Sequence, residues 1–209
     1  MAADRGLNPG QVFVHPFLDG RDTPPKSSAK TLRTLLEMFK CIGVGQIATM
    51  CGRYYAMDRD SRWDRTQRAY DCLTLGEGIP ESNPVESIEN AYSRGETDEF
   101  IKPIVLVKKS GKPIATVRNG DSILFFNFRG DRPRQITRAF VLNNFDGFKR
   151  KIWPNTHFTC LTRYEEGLTV NGVAYPPETL SQKSSGIYGE VLSQAGKRQL
   201  RIAETEKYA

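Results

Sequence analysis

Four short segments place arginine or lysine beside groups that can grip an anion. The first is Leu18–Asp22 (LDGRD). Arg21 can fork onto a phosphate or carboxylate, and Asp22 can move a proton if it is held near a substrate hydroxyl. An Asp-Gly turn carrying solvated charges is the alternative. The second is Cys51–Asp60 (CGRYYAMDRD), with Arg53 and Arg59 around two tyrosines. Gly52 permits a sharp turn, and Tyr54 and Tyr55 can wall a pocket or cover arginine planes. Here the alternative pairs Arg59 with Asp58, Asp60 or a residue one turn further on. The third is Phe126–Arg132 (FNFRGDR), where Arg129 and Arg132 stand three apart between a hydrophobic run and a helix start. Two guanidinium forks beside the free N–H groups of a helix N-terminus suit a phosphate. The fourth is the terminal stretch Glu204–Ala209, in which Lys207 can supply a point charge.

These segments need elements to hold them. Val12–Phe17 reads as a buried strand, and Leu18–Lys26, with one Gly and two prolines, as a loop. Ser27 or Ser28 can cap a helix carrying Leu32, Leu35, Leu36, Phe39 and Ile42, with Gly43 as its stop. Gln46–Met50 is a second strand, so residues 12–50 form a strand–helix–strand crossover that favours parallel pairing. A loop over 51–57 and a charged helix over 59–75 follow. The spacing of Arg62, Arg65 and Arg68 on that helix suggests a solvated face. Asn83-Pro84 starts another helix, with Glu86 in capping-box position. Pro103–Val107 and Pro113–Val117 flank a Gly-containing turn, as in a hairpin. Ser122–Phe128 is a strand, 133–142 a helix, His157–Thr162 a strand, 186–195 a helix and Gln199–Ala203 a last strand. The alternation predicts an α/β fold: a mostly parallel or mixed sheet flanked by helices, with a small antiparallel hairpin. In such sheets ligands gather at the carboxyl ends of strands, where the arginine segments fall.

Composition bounds the function. The 209 residues carry 30 Lys and Arg against 24 Asp and Glu, a net charge of +6 that favours an anionic partner without naming one. Cys41, Cys51, Cys72 and Cys160 make no C-x-x-C pair. With His15 and His157 as the two histidines, no zinc-type cluster arises. The cysteines read as small buried hydrophobes in a reducing compartment. His15 and His157 read as core or edge residues rather than ligands. The Lys149-Arg150-Lys151 cluster reads as surface charge, and Arg134 and Arg138 as weaker ligand candidates. With no leader and no run of about 18 apolar residues, a cytoplasmic protein away from membranes is expected.

Taken together, LDGRDTPP, GRYYAMDRDSRWDR, FNFRGDRPRQ, LTRYEE and QLRIAETEKYA resemble the cofactor-independent phosphoglycerate mutases, in that family's order, from about Gln11 to the end. The resemblance implies interconversion of 3-phosphoglycerate and 2-phosphoglycerate through a phosphoserine. It also implies a monomer with a phosphatase-like domain holding two Mn²⁺ or similar ions and a second domain that grips the substrate. It assigns Arg21 and Asp22 to substrate contact, with Asp22 the candidate catalytic proton shuttle. Arg53 and Arg59 fall to the glycerate carboxylate and nearby groups, Arg129 and Arg132 to the phosphate, and Lys207 to the phosphoryl group in transfer.

The family's nucleophilic Ser and metal ligands match nothing here, so no metal is expected on this chain's own residues. The resemblance divides the chain into a lead-in (1–10), a substrate-binding α/β domain (11–183) and a linker helix with the first strand of the phosphatase-like domain (184–209). A complementing chain that carries the rest is one reading, and a truncated gene product or a gene-model fragment is the alternative. The rival reading is a stand-alone basic domain that binds nucleic acid or another polyanion through its aromatic-rich segments. It would show a steep salt dependence and no protection by 3-phosphoglycerate. The pure chain is expected to give no turnover in an enolase-coupled assay with added Mn²⁺; clear turnover would overturn that expectation.

Overall fold

The computed structural model describes residues 2–176, 186–200 and 202. The β1 strand (Phe13–Val14) pairs in parallel with β3 (Gln46–Ile47). The β2 strand (Phe17–Leu18) pairs in parallel with β4 (Thr49–Gly52). The single expected strand is therefore split at His15-Pro16, because proline has no N–H to give the ladder. Helix α1 (Ser28–Ile42) makes the crossover and ends at Gly43, whose φ of 76° closes it with an N–H to Phe39 O. Its N-terminus is capped from a distance. Asp98, fully buried, accepts from Ser27 N (2.9 Å) and Ser28 N (3.0 Å), so neither serine side chain is the cap.

The expected loop after β4 contains a helical turn, α2 (Arg53–Ala56). The charged helix α3 begins only at Trp63 and runs to Leu75. An unforeseen edge strand, β5 (Ile79–Glu81), pairs in parallel with β6 (Ile104–Leu106), which in turn lies antiparallel to β4. Between β5 and β6, α4 (Pro84–Ser93) is capped by Asn83, which accepts from Val85 N and Glu86 N. The expected hairpin survives as a tight turn, with Lys108 N donating to Lys112 O (2.8 Å) and one bridge, Val107 to Pro113. A separate parallel sheet orders β7 (Ser122–Phe125), β8 (His157–Thr162) and β9 (Gly172–Tyr175), the last unforeseen. Helix α5 (Arg134–Val141) follows β7, and α6 (Tyr188–Gln194) lies beyond β9. Among Gln199, Leu200 and Ile202 no strand forms, and Lys207 lies outside the described residues. The architecture is mixed α/β with parallel and mixed sheets, as expected.

Two apolar clusters position the loops. One packs α1 and α4 on β2–β6 through Leu32, Ile47, Met50, Ile88, Ile104 and Leu106. The other packs α3 and α5 on the β7–β9 sheet through Tyr70, Leu73, Ile136, Phe140, Phe158 and Cys160. The edge-on contact of Phe17 with Phe125, ring centres 5.8 Å apart, brings β2 beside β7. Cys51, Cys72 and Cys160 are buried, whereas Cys41, on the outer side of α1, is exposed.

His15 is part of this packing, with Nδ1 2.8 Å from Thr49 Oγ1. Burial lowers its pKa from 6.5 to about 4, with Asp121 pulling the other way. A depressed histidine contributes stability that is present above its unfolded value and lost as pH falls towards its folded value. Between pH 6.5 and about 4 this residue is expected to remove up to about 3 kcal/mol. Urea titrations of wild type and His15→Gln should show the wild-type slope flattened in the variant; identical slopes would refute the assignment.

Candidate functional site

Three loops meet where β2, β4 and β7 end. The loop after β2 is folded by Asp19, whose Oδ2 accepts from Asp22 N at 3.2 Å, while Thr23 Oγ1 accepts from Gly20 N at 3.1 Å. Arg53, at the start of α2, reaches back into this loop. Its Nη1 donates to Asp22 Oδ2 at 2.9 Å and to Asp19, and its side chain is only 11% exposed. Arg21 extends 62% exposed from the same loop, 3.9 Å from Glu99.

The loop after β4 is tied to the loop after β7. Arg59 Nη1 donates to Asp131 Oδ2 at 2.7 Å, and Arg129 Nη2 donates to the same oxygen at 3.2 Å. Arg132 Nη1 donates to Met57 O at 3.1 Å. Asp58, also buried, accepts from Asp60 N, Arg62 N and Gln135 Nε2 on one oxygen and from Arg65 on the other. This fixes the turn that carries Arg59 against α3 and α5. Arg65 is therefore not a solvated helix charge: it is 15% exposed and stacks 3.8 Å over the Tyr54 ring, while Arg68 covers Tyr55 at 5.0 Å. The tyrosines of this segment do cover arginine planes.

The electrostatics report the convergence. Burial lowers the Arg132 guanidinium below the usual arginine value, and so do the nearby charges of Arg59, Arg53 and Arg21, against the opposite pull of Asp131. Burial likewise opposes charge on Arg53, but its bonds to Asp22 and Asp19 hold it above the usual value. On Asp131 burial opposes ionisation, yet Arg59, Arg129 and the Arg132 backbone hold the carboxyl below its normal range. Five guanidinium groups thus face four carboxylates, Asp19, Asp22, Glu99 and Asp131, leaving a net positive charge in one place.

The other basic residues serve the scaffold. Arg134 Nε donates to Tyr164 O at 2.7 Å, and Arg138 forks onto Glu165 at 2.7 and 2.8 Å. Arg150, expected as surface charge, instead donates to the α5 carbonyl of Ala139 and to Leu142 O and Asn143 O beyond its end, and lies 4.3 Å over Trp153. Sequence reasoning missed Asp19, Asp131 and Asp58 as organisers. Their signal was an acidic residue within two positions of Arg21, Arg59, Arg129 and Arg132, which spacing alone cannot tell from solvated charge. No group of three or more His, Cys, Asp and Glu among the described residues could hold a metal ion. Nor is any described helix long and apolar enough to cross a membrane.

Residues 1–166 match the family model described as "BPG-independent PGAM N-terminus (iPGM_N)". The chain belongs to this family. It is 50% identical over 209 residues to a 2,3-bisphosphoglycerate-independent phosphoglycerate mutase of Methanococcoides burtonii, covering 100% of this chain and 39% of that protein. The Moorella thermoacetica protein of the same name is 52% identical over 210 residues, again covering 100% of this chain and 39% of the relative. The chain thus spans about two fifths of the length of these relatives. A crystal structure of Leishmania mexicana phosphoglycerate mutase at low cobalt concentration superposes with a TM-score of 0.75 at 31% identity, over 88% of this chain and 34% of that one.

The site depends on close backbone approach. The turn Asp98–Phe100 wedges against both arginine loops. A Cβ at Gly20 would lie 2.7 Å from Glu99 N, and one at Gly52 would land on the Glu99 carbonyl. Gly52→Ala is therefore expected to cost about 1–3 kcal/mol. Gly10→Ala, in open space, should leave stability unchanged. Thermal melts of both check this, and equal Tm values would contradict the wedge.

Proposed function

We propose that this chain is the substrate-gripping part of a 2,3-bisphosphoglycerate-independent phosphoglycerate mutase, an isomerase that moves a phosphoryl group between the hydroxyls of a phosphoglycerate. The observation that supports this most is that Arg53, Arg59, Arg129 and Arg132 are tied across the loops after β2, β4 and β7, by Asp19 and Asp22, by Asp131 and by Met57 O. Arginines from separate loops converging on one spot suit a small, multiply charged anion. A polyanion such as nucleic acid calls for a track of charges instead.

In this reading Arg129 and Arg132 take the phosphate as paired forks, and Arg53 and Arg59 take the carboxylate end. Arg21 closes the grip. Asp22, 76% exposed and bonded to the Arg53 guanidinium, is assigned in this reading to accept the substrate hydroxyl proton. Lys207 adds charge to the phosphoryl group in transfer. Neutralising that group lowers the barrier, because the charge spread over its oxygens persists in the transition state.

The two Mn²⁺ or similar ions implied by the family find no donor set among the described residues, so no step is routed through them. The metal-dependent chemistry, and the division into a gripping domain (11–183) and the start of a phosphatase-like domain (184–209), belong to this proposal. So do a monomeric full-length enzyme, a cytoplasmic setting and a complementing chain.

Titration calorimetry of the full chain with 3-phosphoglycerate tests the reading. Binding is expected. Arg132→Ala and Arg59→Ala are each expected to weaken it about 10–100-fold, the value of a charged hydrogen bond. Wild-type affinity that is undetectable, or unchanged in both variants, would overturn the proposal.

A further inference from the structure

Asp131 is the least economical residue of the site. Its side chain is 3% exposed, and both recorded arginine contacts, to Arg59 and to Arg129, fall on Oδ2. The other oxygen, Oδ1, is buried without a hydrogen-bond partner. An unpaired buried acceptor is unfavourable, and a buried ion adds to that penalty. Both arginines are partly exposed, 38% for Arg59 and 57% for Arg129, so water could solvate them if Asp131 were absent. Its arginine partners and the Arg132 backbone hold the carboxyl ionised against that penalty. Among the described residues, Asp131 is the side chain that holds a guanidinium from the loop after β4 and another from the loop after β7 on the same atom.

We infer that Asp131 is a positioning residue, which sets the spacing and orientation of Arg59 and Arg129 before the anionic ligand arrives. Each long arginine side chain otherwise samples many rotamers, and fixing it in advance removes that entropy from the binding step. Arg132, between these loops, is placed independently by Met57 O. Asp131 therefore hydrogen-bonds the side chains of two of the arginines, and on the Arg132 guanidinium it acts through charge alone. Each arginine gives one Nη donor to Oδ2, which leaves other N–H groups of each fork for a ligand.

This inference deepens the phosphoglycerate reading and rests on it for the ligand, but half of its test needs no ligand. Arginine side-chain NMR of the full chain is expected to show restricted Nε–Hε groups for Arg59 and Arg129 in the wild type. Both should become mobile in Asp131→Asn, with Arg53 and Arg132 unchanged and the Tm held. Calorimetry with 3-phosphoglycerate should then show about tenfold weaker binding by Asp131→Asn. Mobility unchanged at Arg59 and Arg129, or spread equally to Arg53 and Arg132, overturns the positioning role. So does undiminished affinity in the variant, and so does a melt lowered in step with the affinity. If the wild type itself binds no 3-phosphoglycerate, the functional reading falls while the NMR arm still decides the role of Asp131.

Discussion

Carboxylates holding guanidinium groups across loops are the interaction on which the site depends. Arg53 on Asp19 and Asp22 ties the β4 end to the β2 loop, and Arg59 and Arg129 on Asp131 tie it to the β7 loop. The Arg53 and Arg59 ties join segments distant in sequence, so the loops cannot move independently without breaking a charged hydrogen bond. Like charges held this close repel, and burial adds to the penalty at Arg132. The four acidic partners make such crowding tolerable while leaving a positive balance for an anion.

The backbone makes the crowding reachable. Parallel pairing of β2 with β4 sends both strands out at the same edge, and the Phe17–Phe125 contact sets β7 beside them. The Asp98–Phe100 turn then binds the assembly from behind. Asp98 caps α1, while the Glu99 backbone lies against Gly20 and Gly52. One short turn therefore supports a helix start and two arginine loops, which links the stability of the scaffold to the geometry of the site.

Much of this was legible in the sequence. Helical periodicity located α1, α4 and α5, and the β-rich run His157–Thr162 matched β8 to the residue. The arginine loops followed from charge placed just after strands. What escaped was set by tertiary contact. Pro16 split a strand, Pro80 sat inside an edge strand where its missing N–H does no harm, and the α1 cap came from Asp98 rather than an adjacent serine. Asp19, Asp58 and Asp131 escaped for the same reason. Whether an aspartate solvates a surface or anchors an arginine from a remote loop is decided by the fold, and no local spacing encodes it.

The central claim is that arginines from three loops act on one small anion. Its most direct test is a titration of the full chain with 3-phosphoglycerate, following the Nε–Hε resonances of Arg21, Arg53, Arg59, Arg129 and Arg132. All five are expected to shift together along a single saturation curve. Curves that saturate separately, or arginines that stay unmoved while others respond, would contradict a common site.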